Sequence, residues 1–121
     1  MRILFCGSRT QESSWRVWQT LNELSSTIGT DHTIVHGNAR GTDSHAAYYG
    51  KKLGFTVEPH PADWDKYGKA AGPIRNREML ESGIDRVYAF TDKPIEESKG
   101  TKDMVDIATK AGIHVVLDVR T

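Results

Sequence analysis

Short apolar runs alternate with longer amphipathic segments along this chain. The apolar runs are predicted to be β-strands, over residues 2–6, 33–36, 55–58, 86–90 and 114–117. The segments between them carry apolar residues at spacings of three and four and predict helices, over residues 14–28, 44–53, 74–82 and 100–111. Strands joined by single helices pair in parallel through right-handed crossovers. The pattern therefore predicts an α/β protein of three layers, with about five mainly parallel strands and helices on both faces of the sheet.

Length and charge exclude several classes of protein. The 121 residues are predicted to form one domain, 1–121. The 16 basic and 16 acidic residues cancel, so the chain lacks the overall field of a general DNA or membrane-surface binder, although a local basic patch is still allowed. No apolar run approaches the roughly 20 residues that span a bilayer, so no membrane association is expected.

The spacing of the cysteine and histidine residues bears on whether this chain forms disulfide bonds or binds a metal. Cys6 is the only cysteine, so no internal disulfide can form, and a reducing cytoplasmic location is the simplest interpretation. The five histidines follow no His-x-x-x-His spacing, and no Cys-x-x-Cys pair exists. We therefore expect no metal site and no required cofactor.

The first strand-to-helix loop is a candidate phosphate site. Ligands of open parallel sheets bind at the carboxyl ends of the strands, so the loops that follow the strands matter most. Here Gly7 allows close backbone approach, the Ser8 hydroxyl can donate to a phosphate, and Arg9 can bind one with two hydrogen bonds. An ordinary turn with a solvated arginine fits these residues equally well.

The second such loop places two glycines around an arginine just before a helix. Gly37, Arg40 and Gly41 precede that helix, where backbone N–H groups and the helix dipole favour an anion. Thr42 or Asp43 could cap the helix, and Asp43 could instead contact a ribose or an amine. The loop matches neither the Walker pattern nor Gly-x-Gly-x-x-Gly. A helix start with a solvated arginine is the alternative interpretation.

The loop before the last helix repeats the combination of a glycine and a small hydroxyl residue. Gly100 and Thr101 open the helix and predict a phosphate seat, with charge from Lys99 and Lys102. Plain helix capping would explain the same residues. Three loops of this kind at one sheet edge support a shared anion site better than any one of them does alone.

The long third connection, residues 59–73, is predicted to be irregular. Its aromatic residues could stack on a base: Trp64 and Tyr67. Arg75 and Asn76 follow in the first turn of a helix, from which side chains reach toward the sheet edge. Arg75 could instead pair with Glu78 on the helix surface.

Taken together, four segments resemble one family. They are Gly7-Ser8-Arg9, residues 36–43, residues 62–80 with their Ala-Gly-Pro-x-Arg-Asn segment, and Gly100-Thr101. The chain resembles the YspA-like, YpsA-related branch of the SLOG superfamily, a domain of unknown function found in bacteria and their phages. The resemblance implies one Rossmann-like domain with a pocket for a nucleotide or a nucleotide derivative, such as a nucleoside monophosphate or an ADP-ribose-like ligand, in a sensing or processing role.

The resemblance also supplies alternatives. The superfamily includes the Lonely-guy phosphoribohydrolases, whose phosphate loop is similar at Gly100 and Thr101, although the Pro-Gly-Gly that precedes these positions is missing here. Asp103 stands where those enzymes have a catalytic glutamate, and Arg75 resembles their arginine, so N-glycosidic hydrolysis by Arg75 and Asp103 is one alternative.

A second alternative follows from the DNA-processing protein A branch, which binds single-stranded DNA. The basic residues that would form a stripe for a single strand are Arg40, Lys66, Lys69, Arg75 and Arg77. Zero net charge disfavours nucleic acid as the partner, so a small-molecule nucleotide is preferred. The resemblance favours a homodimer or higher homo-oligomer. Trp15 and Trp18 lie three apart on the first helix, and whether so small a core accommodates both is left open.

Overall fold

The structure, a computed structural model, describes residues 1–10 and 12–119 and contains one five-stranded sheet. The strands are β1 (Arg2–Gly7), β2 (Thr33–His36), β3 (Thr56–Pro59), β4 (Arg86–Thr91) and β5 (His114–Val119). Their order across the sheet is β3-β2-β1-β4-β5, and all four neighbouring pairs are parallel. The predicted three-layer Rossmann-like α/β fold is confirmed.

In the part of the chain that the structure describes, five α-helices connect these strands. They are α1 (Ser14–Thr27), α2 (Thr42–Leu53), α3 (Trp64–Tyr67), α4 (Ala71–Glu81) and α5 (Lys99–Lys110), with short 3₁₀ turns at Gly68–Ala70 and Ile95–Glu97. Among the described residues, no helix is long and apolar enough to cross a membrane.

The helices cover the two faces of the sheet and divide the core in two. On the α1 and α2 face, the buried residues include Ile3, Phe5, Val17, Leu21, Ile34 and Phe90. On the α4 and α5 face, they include Leu4, Val35, Met79, Val87, Met104 and Ala108. Because successive strand residues point to opposite faces, Ile3 and Leu4 enter different halves of the core. Both faces of the central strands are thereby dry, as a parallel sheet requires.

The core does not accommodate both tryptophans of α1. Trp15 is 69% exposed and stacks on the half-buried Trp18 with ring centroids 5.7 Å apart, whereas Val17 is fully buried. Arg16 is also buried: it donates to the carbonyl of Thr91 at 3.2 Å and forms an ion pair with Asp118 at 3.2 Å. The inward face of this helix therefore carries aliphatic residues, and its tryptophans lie to one side.

The segment predicted to be irregular, residues 59–73, is helical over much of its length. The Asp63 carboxylate accepts a hydrogen bond from the amide of Lys66 at 3.1 Å and caps α3. Helix α4 then begins at Ala71, three residues earlier than expected, with Pro73 in its first turn. Proline is tolerated there because the first N–H groups of a helix have no intrahelical partner.

The strand order creates a crevice at one place. From β1, the chain moves toward β2 and β3 on one side and toward β4 and β5 on the other. The loops that follow β1 and β4 consequently diverge over the carboxyl edge of the sheet, and such a switch point is where open α/β sheets bind ligands.

Candidate functional site

A cavity of about 530 Å³ lies at this switch point. Ten of the residues that the sequence indicated for ligand binding line it: Gly7, Ser8, Arg9, Gly37, Asp43, Arg75, Asn76, Lys99, Gly100 and Thr101. They come from four separate strand-to-helix connections. The fold therefore brings together the loops that the sequence indicated.

A second cavity of about 360 Å³ adjoins the first. Arg40 and Trp64 line it, together with Pro61 and Ala62. Arg9, Gly37, Ala39 and Arg75 line both cavities, so the two are adjacent parts of one cleft region at this edge of the sheet. We refer to the first as the β1–β4 cavity and to the second as the Trp64 cavity.

Three of the predicted site residues line neither cavity: Gly41, Thr42 and Asp103. Thr42 is fully buried, and its hydroxyl bonds the Ser13 hydroxyl at 2.8 Å and donates to the carbonyl of Ser8 at 3.2 Å. Gly41 has a φ of 75°, and a Cβ built on it would lie 2.3 Å from the Ser8 carbonyl oxygen. Gly41 and Thr42 thus hold the first loop in position.

The loop after β1 is tied to the loop after β4. The hydroxyls of Ser8 and Thr10 each donate to the carboxylate of Asp92 at 2.7 Å, and the Asp92 amide donates to the Ser8 hydroxyl at 3.2 Å. These hydrogen bonds favour the ionised carboxylate and lower the pKa of Asp92 to about 2. Gly7 permits the close approach, because a Cβ on it would lie 2.1 Å from the carbonyl oxygen of Phe90.

The loop after β2 is closed by Asp43 and not by a helix cap. One oxygen of this buried carboxylate accepts hydrogen bonds from the amides of Gly37 at 2.8 Å and Ala39 at 3.3 Å. Two amides of the loop in which we expected an anionic ligand therefore already bind the carboxylate of Asp43. Burial raises the pKa of Asp43 to about 6, although the two amides and the nearby Arg75 act in the opposite direction.

His36 ends β2 and is also buried. Its Nδ1 accepts a hydrogen bond from the amide of Asn38 at 3.0 Å. Burial lowers the pKa of His36 to about 4, and nearby positive charges add to this effect. At neutral pH this imidazole is uncharged.

Arg75 is held by backbone carbonyls and not by a helix-surface pair with Glu78. Its Nη1 donates to the carbonyl of Gly37 and, at 3.4 Å, to that of His60, and its Nε donates to the Asn76 side chain at 3.0 Å. Within the described part of the chain, no hydrogen bond reaches its Nη2. Burial of the guanidinium lowers the pKa of Arg75 from its ordinary value. A neighbouring anion would act in the opposite direction and raise this pKa.

Asn76 connects α4 to the start of α5. Its buried side-chain amide donates to the carbonyl of Gly100 at 3.3 Å and to the carboxylate of Asp103 at 3.1 Å. Asp103 therefore contacts Asn76 and lies outside the cavity lining, whereas Asn76 itself lines the β1–β4 cavity.

The first turn of α5 offers free backbone donors. Its first hydrogen bond runs from the amide of Lys102 to the carbonyl of Ser98 at 2.8 Å, and no side chain caps the helix. For the three preceding amides, those of Lys99, Gly100 and Thr101, the described residues provide no acceptor. All three residues line the β1–β4 cavity. A helix N-terminus of this kind favours an anion.

Sequence reasoning missed several residues of the β1–β4 cavity. Asp92 and Lys93 line it from the loop after β4, and the Cys6 thiol, whose pKa burial raises, lies among the lining residues at the end of β1. A polar residue directly after an apolar strand was the available signal for Asp92. That signal would have placed Asp92 at the cavity only if the position of β4 beside β1 had been known. No three His, Cys, Asp or Glu side chains within 1–10 and 12–119 are grouped as metal ligands.

Comparison with known proteins agrees with the resemblance noted in the sequence. A family model described as YAcAr, the YspA, cpYpsA-related SLOG family, matches residues 1–67. The chain is also similar to the "Gene 61 protein" of Mycobacterium phage D29, with 39% identity over 120 residues, which cover 95% of this chain and 94% of that protein.

Proposed function

This chain belongs to the YspA, cpYpsA-related SLOG family, and on that premise we propose that it binds a nucleotide or a nucleotide-derived phosphate ligand in the cleft at the carboxyl edge of its sheet. A nucleoside monophosphate and an ADP-ribose-like molecule are the ligands of choice. The role is that of a sensor or processing protein in the cytoplasm, a reducing compartment that suits a chain whose single cysteine, Cys6, has no partner for an internal disulfide.

One observation carries this proposal: the uncapped first turn of α5 shares a cavity with Arg75. The three amides and the Nη2 of Arg75, for which the described residues provide no acceptor, are several donors for one phosphate. Lys99 lines the same cavity and adds positive charge. Asp43 and Asp92 are already held by hydrogen bonds from the first two loops, so the phosphate belongs on the α5 side of the cavity.

The Trp64 cavity is the proposed seat for the rest of the ligand. The Trp64 side chain is 50% exposed, as a stacking platform for a base requires. Because Arg75 lines both cavities, a ligand with its phosphate at α5 could extend past Arg75 to Trp64. The two volumes, about 530 and 360 Å³, are typical of small-molecule sites.

In this proposal Asp103 positions the side chain of Asn76. Its carboxylate accepts the hydrogen bond that orients the Asn76 amide, and it does not line the cleft. N-glycosidic hydrolysis with Asp103 as a catalytic group stays a prediction, since nothing in the geometry favours it over binding alone. The same holds for a single-stranded nucleic acid, which zero net charge disfavours.

Calorimetric titration with a panel of nucleoside monophosphates tests the proposal, with the matching nucleosides as the phosphate-free controls. We expect binding that weakens with added salt and is much weaker for the nucleosides. Lys99→Ala should reduce the affinity, whereas Lys110→Ala, at the other end of α5, should not. Equal affinity for nucleotides and nucleosides, or equal effects of the two lysine variants, would contradict the phosphate seat.

A tryptophan pair tests the base seat in the same assay. Trp64→Ala should weaken nucleotide binding by roughly 5- to 150-fold, since stacking on one base is worth about 1–3 kcal/mol. Trp15→Ala is the matched control, because Trp15 is exposed on α1 and lines neither cavity of the cleft. If the two variants bind alike, the base does not lie against Trp64.

A further inference from the structure

The two edges of the sheet are built differently. At one edge, β3 is four residues long and ends in Pro59, and its Glu58 forms an ion pair with Arg2 at 2.6 Å. A short strand with a proline and a charged residue discourages pairing with another chain. This edge is therefore protected against association.

The opposite edge, β5, is longer and contains no proline. It is six residues long, and no described strand pairs with its outer side. Val116, Leu117 and Val119 are each about two-fifths exposed: 38%, 41% and 39%. Since alternate residues point to opposite faces, apolar surface is exposed on both sides of the same strand. A long apolar edge of this kind is a template for another strand.

We propose that β5 is the interface of a homodimer, in which two copies of this strand pair antiparallel about a two-fold axis through Val116. This register places Val116 against the partner's Val116 and His114 against the partner's Asp118. On the other face it places Val115 against the partner's Leu117. Apolar residues thus meet apolar residues, and an imidazole that can donate meets a carboxylate. Asp118 keeps its ion pair with Arg16 from within its own copy.

The self-complementary order of β5 is what selects a second copy over an unrelated peptide. In an antiparallel pair about a two-fold axis, residues equally far from the axis face each other. His114 and Asp118 are each two positions from Val116, and the first can donate the hydrogen bond that the second can accept. The pairing also joins two sheets into one of ten strands, in which the carboxyl edges of the two halves face opposite ways. Each candidate cleft stays open and complete within one copy.

Sedimentation velocity from micromolar to near-millimolar concentration tests the proposal. We expect a concentration-dependent dimer that is lost in Val116→Lys, with Leu117→Lys as a second variant should the first fail to fold. Thr56→Lys, on the protected edge, is the matched control and should dimerise as the wild type does. A wild-type monomer at all concentrations, or a dimer unaffected by both lysine variants, would overturn the assignment.

Cysteine crosslinking tests the register. In the Cys6→Ala background, Val116→Cys places two thiols on opposite residues whose Cα atoms are about 4.5–5.5 Å apart, within disulfide range. We expect rapid oxidation to a covalent dimer, and none for Thr56→Cys in the same background. The absence of a Val116→Cys crosslink would overturn the two-fold axis at this residue.

Charge reversal tests the polar pair. His114→Asp sets carboxylates against each other twice in the dimer and should weaken it by roughly 2- to 30-fold, whereas His114→Lys should not weaken it. Equal dimer affinity in the two variants would overturn the pairing of His114 with Asp118. Nucleotide binding should persist in the lysine variants of Val116, Leu117 and Thr56 and in both His114 variants, none of which lines the cleft, so failure of the dimer and failure of the proposed ligand are distinguishable.

Discussion

Replacing Asp43 with asparagine should change how the stability of this protein depends on pH. The carboxylate is buried, and one of its oxygens accepts hydrogen bonds from the amides of Gly37 and Ala39. An asparagine oxygen can accept the same two bonds, so Asp43→Asn removes the charge and preserves the loop. The variant therefore isolates the free energy of ionising a carboxyl group in this position.

The pKa of Asp43 sets the sign and the size of the effect. Burial raises it from 3.8 to about 6, so between these values the folded state holds a proton that the unfolded state has released. The stability contributed by this group is complete below pH 4 and is lost as the pH rises to about 6. Two pKa units correspond to about 3 kcal/mol, at 1.36 kcal/mol per unit.

His36 acts in the opposite direction over the same range. Burial lowers its pKa from 6.5 to about 4, so its contribution is present above pH 6.5 and is lost as the pH falls toward 4. In the wild type, the effects of Asp43 and His36 largely offset each other. The quantity to compare is consequently the difference between the variant and the wild type at each pH, in which the His36 contribution cancels.

Urea denaturation at intervals from pH 4 to pH 7 provides this difference. The unfolding free energy of Asp43→Asn minus that of the wild type should rise by about 3 kcal/mol across the range. Trp15→Ala, which removes an exposed side chain and no titratable group, should give a flat difference profile. A flat profile for Asp43→Asn, or one that falls with increasing pH, would refute the assignment of a buried carboxylate with a raised pKa.

Three further variants test the fold by chemical denaturation. Gly7→Ala should destabilise the protein by about 1–3 kcal/mol, because its Cβ would lie 2.1 Å from the carbonyl oxygen of Phe90; an unchanged midpoint would contradict that contact. Met104→Ala should cost about 2–5 kcal/mol, since Met104 is 1% exposed in the core. Trp15→Ala should change stability by less than about 0.5 kcal/mol despite removing a larger side chain, and a cost equal to that of Met104→Ala would place Trp15 in the core.

The strands and most helix ends could be predicted because strong local signals mark them. The strand at 33–36 has the predicted bounds. Helix α2 begins two residues earlier than expected but ends at Leu53 as predicted, where Gly54 adopts the left-handed conformation that stops it. The buried face of α1 could not be predicted, because Trp15 and Val17 both fit an apolar helical spacing. Only packing against the sheet decides that the smaller valine enters the core.

The site was predictable as a meeting of loops but not as a set of hydrogen bonds. Proximity of Gly7, Arg75 and Thr101 follows from the rule that parallel strands present their carboxyl ends together. That Asp43 takes the amides of its own loop, and that Asp92 takes the Ser8 hydroxyl, depends on strand order and on side-chain rotamers. Of the three loops expected to bind phosphate, our proposal therefore keeps the one at the start of α5.

Chemical-shift mapping during a titration with adenosine 5′-monophosphate tests the central claim most directly, because it reports on the individual amides proposed to hold the phosphate. The account predicts that the largest amide shifts occur at Lys99, Gly100 and Thr101, with smaller ones around Ser8. Saturable shifts confined to other surfaces, such as α1 or β5, or no shifts with any nucleotide tried, would contradict it.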